Sequence, residues 1–455
     1  MPRLPPGTDE GIGSAFSDGT LLARFEKLSK EYAGGIFRVR SPFGKRDLYV
    51  VADPDYARHV LVANSRNYEK GPAIDTVRML LGNGLMTSEG DLWLAQRRKI
   101  QRAFQKASLA TLLPTIGSCV DAMADEWCAA AAAGREVDIT TATSRLALEI
   151  MVRTLFGSDV DPMIERIGHN PFHILVDIPA RNLDFVRKFR ALDPLIIEWI
   201  RTRAALDEDG KDLLGMVAAG DRANPPSMGE RLMVDEIKTL IVAGHETTAA
   251  TLNMTWYLLA SHPEHLARVA AEADARRPEA MTTLAELDSL AYTKQVVREA
   301  MRLYPPGWVF TRCAIGDDTL GAYDVPAGTD VFLSPYLMHR RPDIFEDPET
   351  FDPGRFSPER DAGRHPFAYL PFSVGPRHCI GEQMAMIEML THVARTARRL
   401  SFAPTTFEAP ELEAEVNLRM KKGVSLRPIL RASTPDARVV AGGDVDPYEA
   451  TARAW

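Results

Sequence analysis

Cysteine is scarce in this chain. Its 455 residues hold only four, at Cys119, Cys128, Cys313 and Cys379, and none stands in CxxC spacing. That pattern argues for reduced thiols and against a zinc ribbon or a disulfide framework. Positive charge is also short: 54 Lys and Arg against 62 Asp and Glu give a formal charge of −8. No basic stripe dominates any long stretch, so a nucleic-acid partner is not expected. Charge-free apolar runs are missing as well. The most apolar long segment, 237–259, contains Lys238, His245 and Glu246, which would be costly in lipid, and it reads as a buried helix. The start, MPRLPPGTDEGIG, has no apolar h-region. Neither a signal peptide nor a membrane anchor is expected, and the cytoplasm is the expected location. No fixed-period repeat is visible.

What is present is the composition of an ordinary globular protein, 45% hydrophobic and 25% charged. Length alone allows about three domains. The motifs described below nevertheless run from Trp93 to Cys379 without a linker, so a single domain over 1–431 is the better expectation. The last stretch, 432–455, has no helical or strand period and is expected to be disordered. An amphipathic helix (LLARFEKLSKEY) and two strand-like runs (IFRVRS, DLYVVA) occupy the early chain, and the later chain is mostly helical. Residues 207–226 turn polar and Pro/Gly-rich, which reads as a surface loop flanking a helix. The fold class expected is mainly α with a smaller β region.

The chemistry concentrates in PFSVGPRHCIGEQMA, residues 371–385. From Ile380 to Leu400 apolar residues recur at helical intervals and the run ends in arginines, so Cys379 is placed at a helix N-terminus. Amide donors and the positive dipole end there favour thiolate. A thiolate serves as nucleophile, soft-metal ligand or oxidation sensor. Zinc lacks nearby Cys or His partners other than the adjacent His378, and a nucleophile lacks an obvious base. Ligation of haem iron accounts for more of the neighbours: Gly375 and Gly381 permit close approach to a flat cofactor, and Arg377 suits a propionate. A lone cysteine at a helix start is more often structural.

The whole run F-x-x-G-x-R-x-C-x-G is complete in Phe372, Gly375, Arg377, Cys379 and Gly381, and it resembles the haem-binding loop of the cytochrome P450 family. The resemblance implies a triangular α-rich prism holding haem b between a long distal helix and the cysteine helix. Cys379 would be the proximal thiolate ligand of the iron. With no CxxCH, the haem would be held non-covalently.

Other family parts follow in order. LIVAGHETTAATLNMTW resembles the distal helix, with Ala243 and Gly244 small enough to approach the haem face and Glu246 and Thr247 as a proton relay to dioxygen. Without the resemblance, the same segment is a buried helix whose threonines bond back to its own carbonyls. VVREAMRLYPP puts Glu299 and Arg302 on one helical face, and with Arg355 of FDPGRF they resemble the family's structural network bracing the cysteine loop. Trp93 and Arg97 stand at i and i+4 in DLWLAQRRK. Arg97, Arg312 and Arg377 would supply three cations for two propionates. Met86 falls where the family places a residue over the distal haem face, and Trp308, Val309 and Phe310 fall on the segment lining the substrate pocket. For each of these four, simple core packing is the competing reading.

The resemblance runs from about 37 to 427 and is closest to soluble bacterial P450s similar to fatty-acid hydroxylases, without their fused flavin domains. It implies NAD(P)H electrons delivered by a separate ferredoxin or flavodoxin with its reductase, for which the basic helix RRKIQR is a docking candidate. The substrate implied is a hydrophobic small molecule or carrier-bound group, hydroxylated or epoxidised. A haem-thiolate isomerase or dehydratase, and a haem ligand-binding protein, are the alternatives. Arg78 is a candidate anchor for a substrate carboxylate, and a monomer is the default oligomeric expectation.

Overall fold

The apolar segment 237–259 is the middle of a 33-residue helix, Gly229–Ser261. Its second half is buried on every side, which places it in the centre of the molecule. The computed structural model describes residues 3–13, 15, 18–42, 47–71, 74–177, 183–206, 211–403 and 409–431; the tail expected to be disordered, 432–455, lies outside the described residues. Six helices position the site: α1 (Gly90–Ile100), α2 (Leu113–Ala132), α3 (Ile139–Phe156), α4 (Gly229–Ser261), α5 (Ala291–Leu303) and α6 (Glu382–Arg399). Helices α2, α3, α4 and α6 pack on one another. Where α3 meets α4, a Cβ on Gly244 would run into the Met151 sulfur. Gly244 therefore also serves helix-to-helix packing.

The early strands join a six-stranded sheet: β1 (Gly7–Gly11), β2 (Ile36–Arg40), β3 (Asp47–Val51), β4 (Tyr68–Lys70), β5 (Phe310–Ala314) and β6 (Asp330–Leu333), in the order β1-β2-β3-β6-β5-β4. A hairpin of β7 (Leu412–Ala414) and β8 (Leu418–Met420) follows near the C-terminus. The helices and the sheet each have their own apolar cluster, and Tyr304 and Leu412 pack against both. No helix among the described residues is long and apolar enough to cross a membrane.

Two expectations change. The polar stretch 207–226 contains a helix, Leu213–Arg222, started by Asp212, whose carboxylate accepts the Gly215 N–H at 2.9 Å. An Asx cap and a buried Leu213–Val217 face outweigh the polar composition; residues 207–210 lie outside the described residues. The basic run RRKIQR is not uniformly solvated either. Lys99 turns inward, donating to Asp221 at 2.8 Å and to the Pro226 carbonyl.

Candidate functional site

The cysteine loop is closed by its own backbone: the Cys379 N–H donates to the Phe372 carbonyl at 3.0 Å. Helix α6 starts at Glu382 with Gly381 as its cap, so Cys379 sits two residues ahead of the cap. The thiol is exposed by area yet lies in a recess with protein on most sides. That burial dominates and raises its pKa, against the Gly381 and Glu382 amides and the Arg97 guanidinium, while the Glu382 carboxylate adds to the rise. Desolvation thus outweighs the two amide donors that favour thiolate. Gly375 has φ 76°, and a Cβ on it would run into the Leu61 carbonyl. Its freedom serves a left-handed turn against the neighbouring 59–63 segment, whereas the sequence reading had assigned it to a cofactor.

The loop is braced from below. Arg302 is fully buried on α5 and uses all its N–H donors: Nε and Nη2 reach Glu299 at 2.7 and 2.8 Å, and the others reach the carbonyls of His339, Pro348 and Thr350. Glu299 also accepts the Asp352 N–H at 3.0 Å and faces Arg355 Nε at 3.4 Å. His339 carries the brace to the loop, accepting the Leu370 N–H at 2.9 Å on Nε2 while Nδ1 donates to the Arg302 carbonyl. Burial and then Arg302 hold His339 neutral, its pKa well below the usual value. The sequence carried no signal for His339, which joins the network only in space.

Cations gather beside the loop. Lys70 and Arg312 are direct partners across β4 and β5, an arrangement of like charges that is destabilising by itself. Arg377 stacks over the Trp93 ring, 4.3 Å from its centroid, and bonds Glu89 and the Ser88 carbonyl. Arg97, one turn beyond Trp93 on α1, is close enough to Cys379 for the two charges to interact. Burial, then Arg377, depresses Lys70 to about 7, with Arg312 and Arg78 adding to the effect against Glu89. Burial and Arg377 likewise bring Arg312 down to about 10. Glu89 alone opposes Lys70, Arg312 and Arg377. Lys70 and Glu89 were not found from the sequence; nothing local marks them.

Helix α4 opens one face. Ala243 is exposed, and Gly244, Glu246 and Thr247 are half-buried, within a helix whose flanking turns are buried. At about 100° per residue, Glu246 and Thr247 flank the line of Ala243. The Thr247 hydroxyl donates to the Ala243 carbonyl at 2.7 Å, the back-bonding weighed from sequence, and the Glu246 carboxylate accepts from the Asn417 amide at 3.0 Å.

The cytochrome P450 family model matches residues 11–190 and 187–427. The chain belongs to the cytochrome P450 family. It is 35% identical over 391 residues to cyclooctat-9-en-7-ol 5-monooxygenase of Streptomyces melanosporofaciens, covering 82% of this chain and 83% of that protein. It is 30% identical over 371 residues to pentalenene oxygenase of Streptomyces avermitilis, covering 78% and 81%. The fold matches the crystal structure of the cytochrome P450DA heme domain with a TM-score of 0.84 at 24% identity, over 96% of this chain and 99% of that one. The chain is thus an oxidoreductase, a P450 monooxygenase, whose family uses a haem-thiolate iron and dioxygen.

The residues present fit that cofactor. Cys379 offers a soft ligand in a recess beside α6, the helix packed on α4. Gly381 leaves the sulfur clear, since even a Cβ there would stand 3.9 Å from it. The guanidiniums of Arg97, Arg312 and Arg377 exceed the one carboxylate, Glu89, set against them, and two propionates would supply the missing anions.

In this P450 the pocket expectations divide. Met86 is half-buried against the helical core, and Val309 and Phe310 are half-buried against the sheet core. Trp308 is corrected: it is 1% exposed, packs on Phe25 in the sheet core, and donates its N–H to the Glu415 carbonyl at 3.0 Å. An indole so committed has no face left for a substrate.

The GNGLM segment is pinned from two sides, which sequence reading did not foresee. Asp235 and Glu236 of α4 accept the N–H groups of Asn83 and Leu85 at 2.9 and 2.8 Å, and Lys70 donates to the carbonyls of Leu85, Met86 and Ser88. Burial pushes Glu236 up to about 8, with Asp235 adding to it. The proton on Glu236 stabilises the fold fully below the unfolded pKa near 4.5, and that contribution fades as pH rises toward 8. Glu236→Gln keeps an acceptor for Leu85 without this dependence. Its melting temperature is expected to exceed the parent's at pH 7.5 and to converge with it near pH 4.5, by about 1.4 kcal/mol per pH unit at most. A constant difference across that range in a pH series of thermal melts would refute the assignment.

Proposed function

We propose that this P450 inserts one oxygen atom from dioxygen into an unactivated C–H bond or an alkene of a neutral, apolar small molecule of terpenoid kind, with electrons from separate redox proteins. What supports the reading is a recessed Cys379 with Arg97 close by and a surplus of arginines beside its loop, together with an open face on α4 that bears Glu246 and Thr247. The terpene oxygenases among the relatives favour a terpenoid over a fatty acid. So does Arg78, the candidate carboxylate anchor, which bonds Asp75 and the Thr87 carbonyl.

When bound, the haem supplies the reduction of dioxygen and the transfer of oxygen to carbon. The chain's own residues do the rest. Cys379 Sγ would ligate the iron, and Arg97, Arg312 and Arg377 would hold the propionates, with Trp93 fixing the Arg377 plane. Phe372 and the bonded loop would keep water from the sulfur. Glu246 would take protons from solvent and pass them to the Thr247 hydroxyl, whose proton now sits toward the Ala243 carbonyl and whose lone pairs are free to accept.

A Soret titration of the ferric protein against cyclic terpenes and terpene alcohols, fatty acids and aromatic polyketides tests the substrate class. A saturable low-spin to high-spin shift is expected with the terpenoids; a shift with fatty acids alone would reverse the assignment. Thr247→Ala is expected to leave that affinity nearly unchanged while product per electron pair falls about tenfold or more and peroxide rises. Unchanged coupling would remove Thr247 from the relay.

A further inference from the structure

The Glu246 partner comes from a part of the chain that no motif marks. Asn417 stands at the turn of the β7–β8 hairpin, with Ala414 and Leu418 paired across its base, and its Nδ2 donates to Glu246 Oε2 at 3.0 Å. A carboxylate only accepts, so the amide must present its nitrogen. The turn is held independently of that bond. The Trp308 N–H donates to the Glu415 carbonyl at 3.0 Å, the Leu418 N–H donates to the Pro306 carbonyl at 2.9 Å, and the Glu415 N–H donates to the Asn417 carbonyl at 3.4 Å. Leu418 is sunk in the sheet core and Met420 in the helical core. The amide is therefore a donor fixed by both cores, aimed at one carboxylate on the open face of α4.

We infer that Asn417 is a positioning residue for proton delivery: it holds the Glu246 carboxylate beside Thr247 from outside the helix. The inference rests on the relay reading of Glu246 and Thr247. An oriented acid delivers a proton along one geometry, whereas an acid on a flexible side chain samples many. A neutral amide holds a carboxylate less tightly than a guanidinium clamp and so lets it be released.

The test is a double-mutant cycle in the haem-loaded full chain: Asn417→Ala, Glu246→Gln and the pair. The readouts are product per electron pair, the substrate-induced Soret shift, and hydrogen–deuterium exchange of 410–421. Asn417→Ala is expected to lower coupling about tenfold, with the spin-shift affinity and hairpin exchange within about twofold, because the Trp308 and Pro306 anchors remain. In the Glu246→Gln background the same change should cost less than about twofold. Equal losses in both backgrounds, or a hairpin that exchanges much faster, would make Asn417 merely structural and overturn the inference. Wild-type coupling in Asn417→Ala beside an impaired Glu246→Gln would overturn it while leaving the relay standing. Wild-type coupling in Glu246→Gln would remove the relay itself.

Discussion

Cys379→Ser should purify as a folded protein that has lost the thiolate-type carbon monoxide spectrum in its reduced form, and with it all monooxygenase turnover. Serine is nearly isosteric, and the backbone bond from residue 379 to the Phe372 carbonyl does not involve the side chain, so the loop should keep its shape. What changes is the ligand. A hydroxyl is a poor soft donor and stays protonated, so the electron push toward the iron disappears. The other thiols are poorly placed to substitute. Cys119 is buried between helices, where burial pushes its pKa up to about 12, and Cys313 lies within the sheet opposite Glu69 and Asp330. Persistence of the thiolate spectrum in the serine variant would show that another residue holds the iron.

The second large effect is expected at Arg302, which touches neither substrate nor cofactor. Arg302→Met leaves the Glu299 carboxylate buried without its bidentate partner and strands the carbonyls of His339, Pro348 and Thr350. Breaking such a buried pair from one side costs about 3–5 kcal/mol, a large share of a typical stability of about 5–15 kcal/mol. Because His339 links this network to Leu370, the cysteine loop should loosen along with the core. The variant is expected to accumulate poorly and bind haem weakly. Arg302→Lys should rescue little, since an ammonium matches the charge but not the five-donor fork. Calorimetry and the haem-to-protein absorbance ratio measure the outcome; a variant with the parent's melting temperature would show that the brace is dispensable.

These two residues also show what was legible in advance. The Cys379 run and the Glu299–Arg302 pair are short-range patterns, Arg355 was added only by the family resemblance, and the structure brings the three network residues together. Gly375 and Trp308 face neighbours other than those expected, the Leu61 carbonyl and Phe25. A glycine announces that something approaches closely, not what does. Lys70, Glu89, Glu236, His339 and Asn417 escaped notice because ordinary polar residues acquire meaning only from what they face.

The sequence by itself determined the helical character of the segments that carry the thiol and the acid–alcohol pair, and its motifs carried the resemblance to the family. The first depends on periodicity and on spacing within a few residues, where covalent geometry leaves little choice; the second is a likeness to known proteins. The tertiary structure alone decided the surplus of cations beside the cysteine loop, the neutral state of His339, the raised pKa of Cys379, and the Asn417 amide on Glu246. Each of these depends on desolvation or on contacts between segments far apart in the chain, such as Lys70 with Arg377 or Asn417 with Glu246. Electrostatic energies change steeply with distance and burial, and neither quantity exists until the chain has closed on itself.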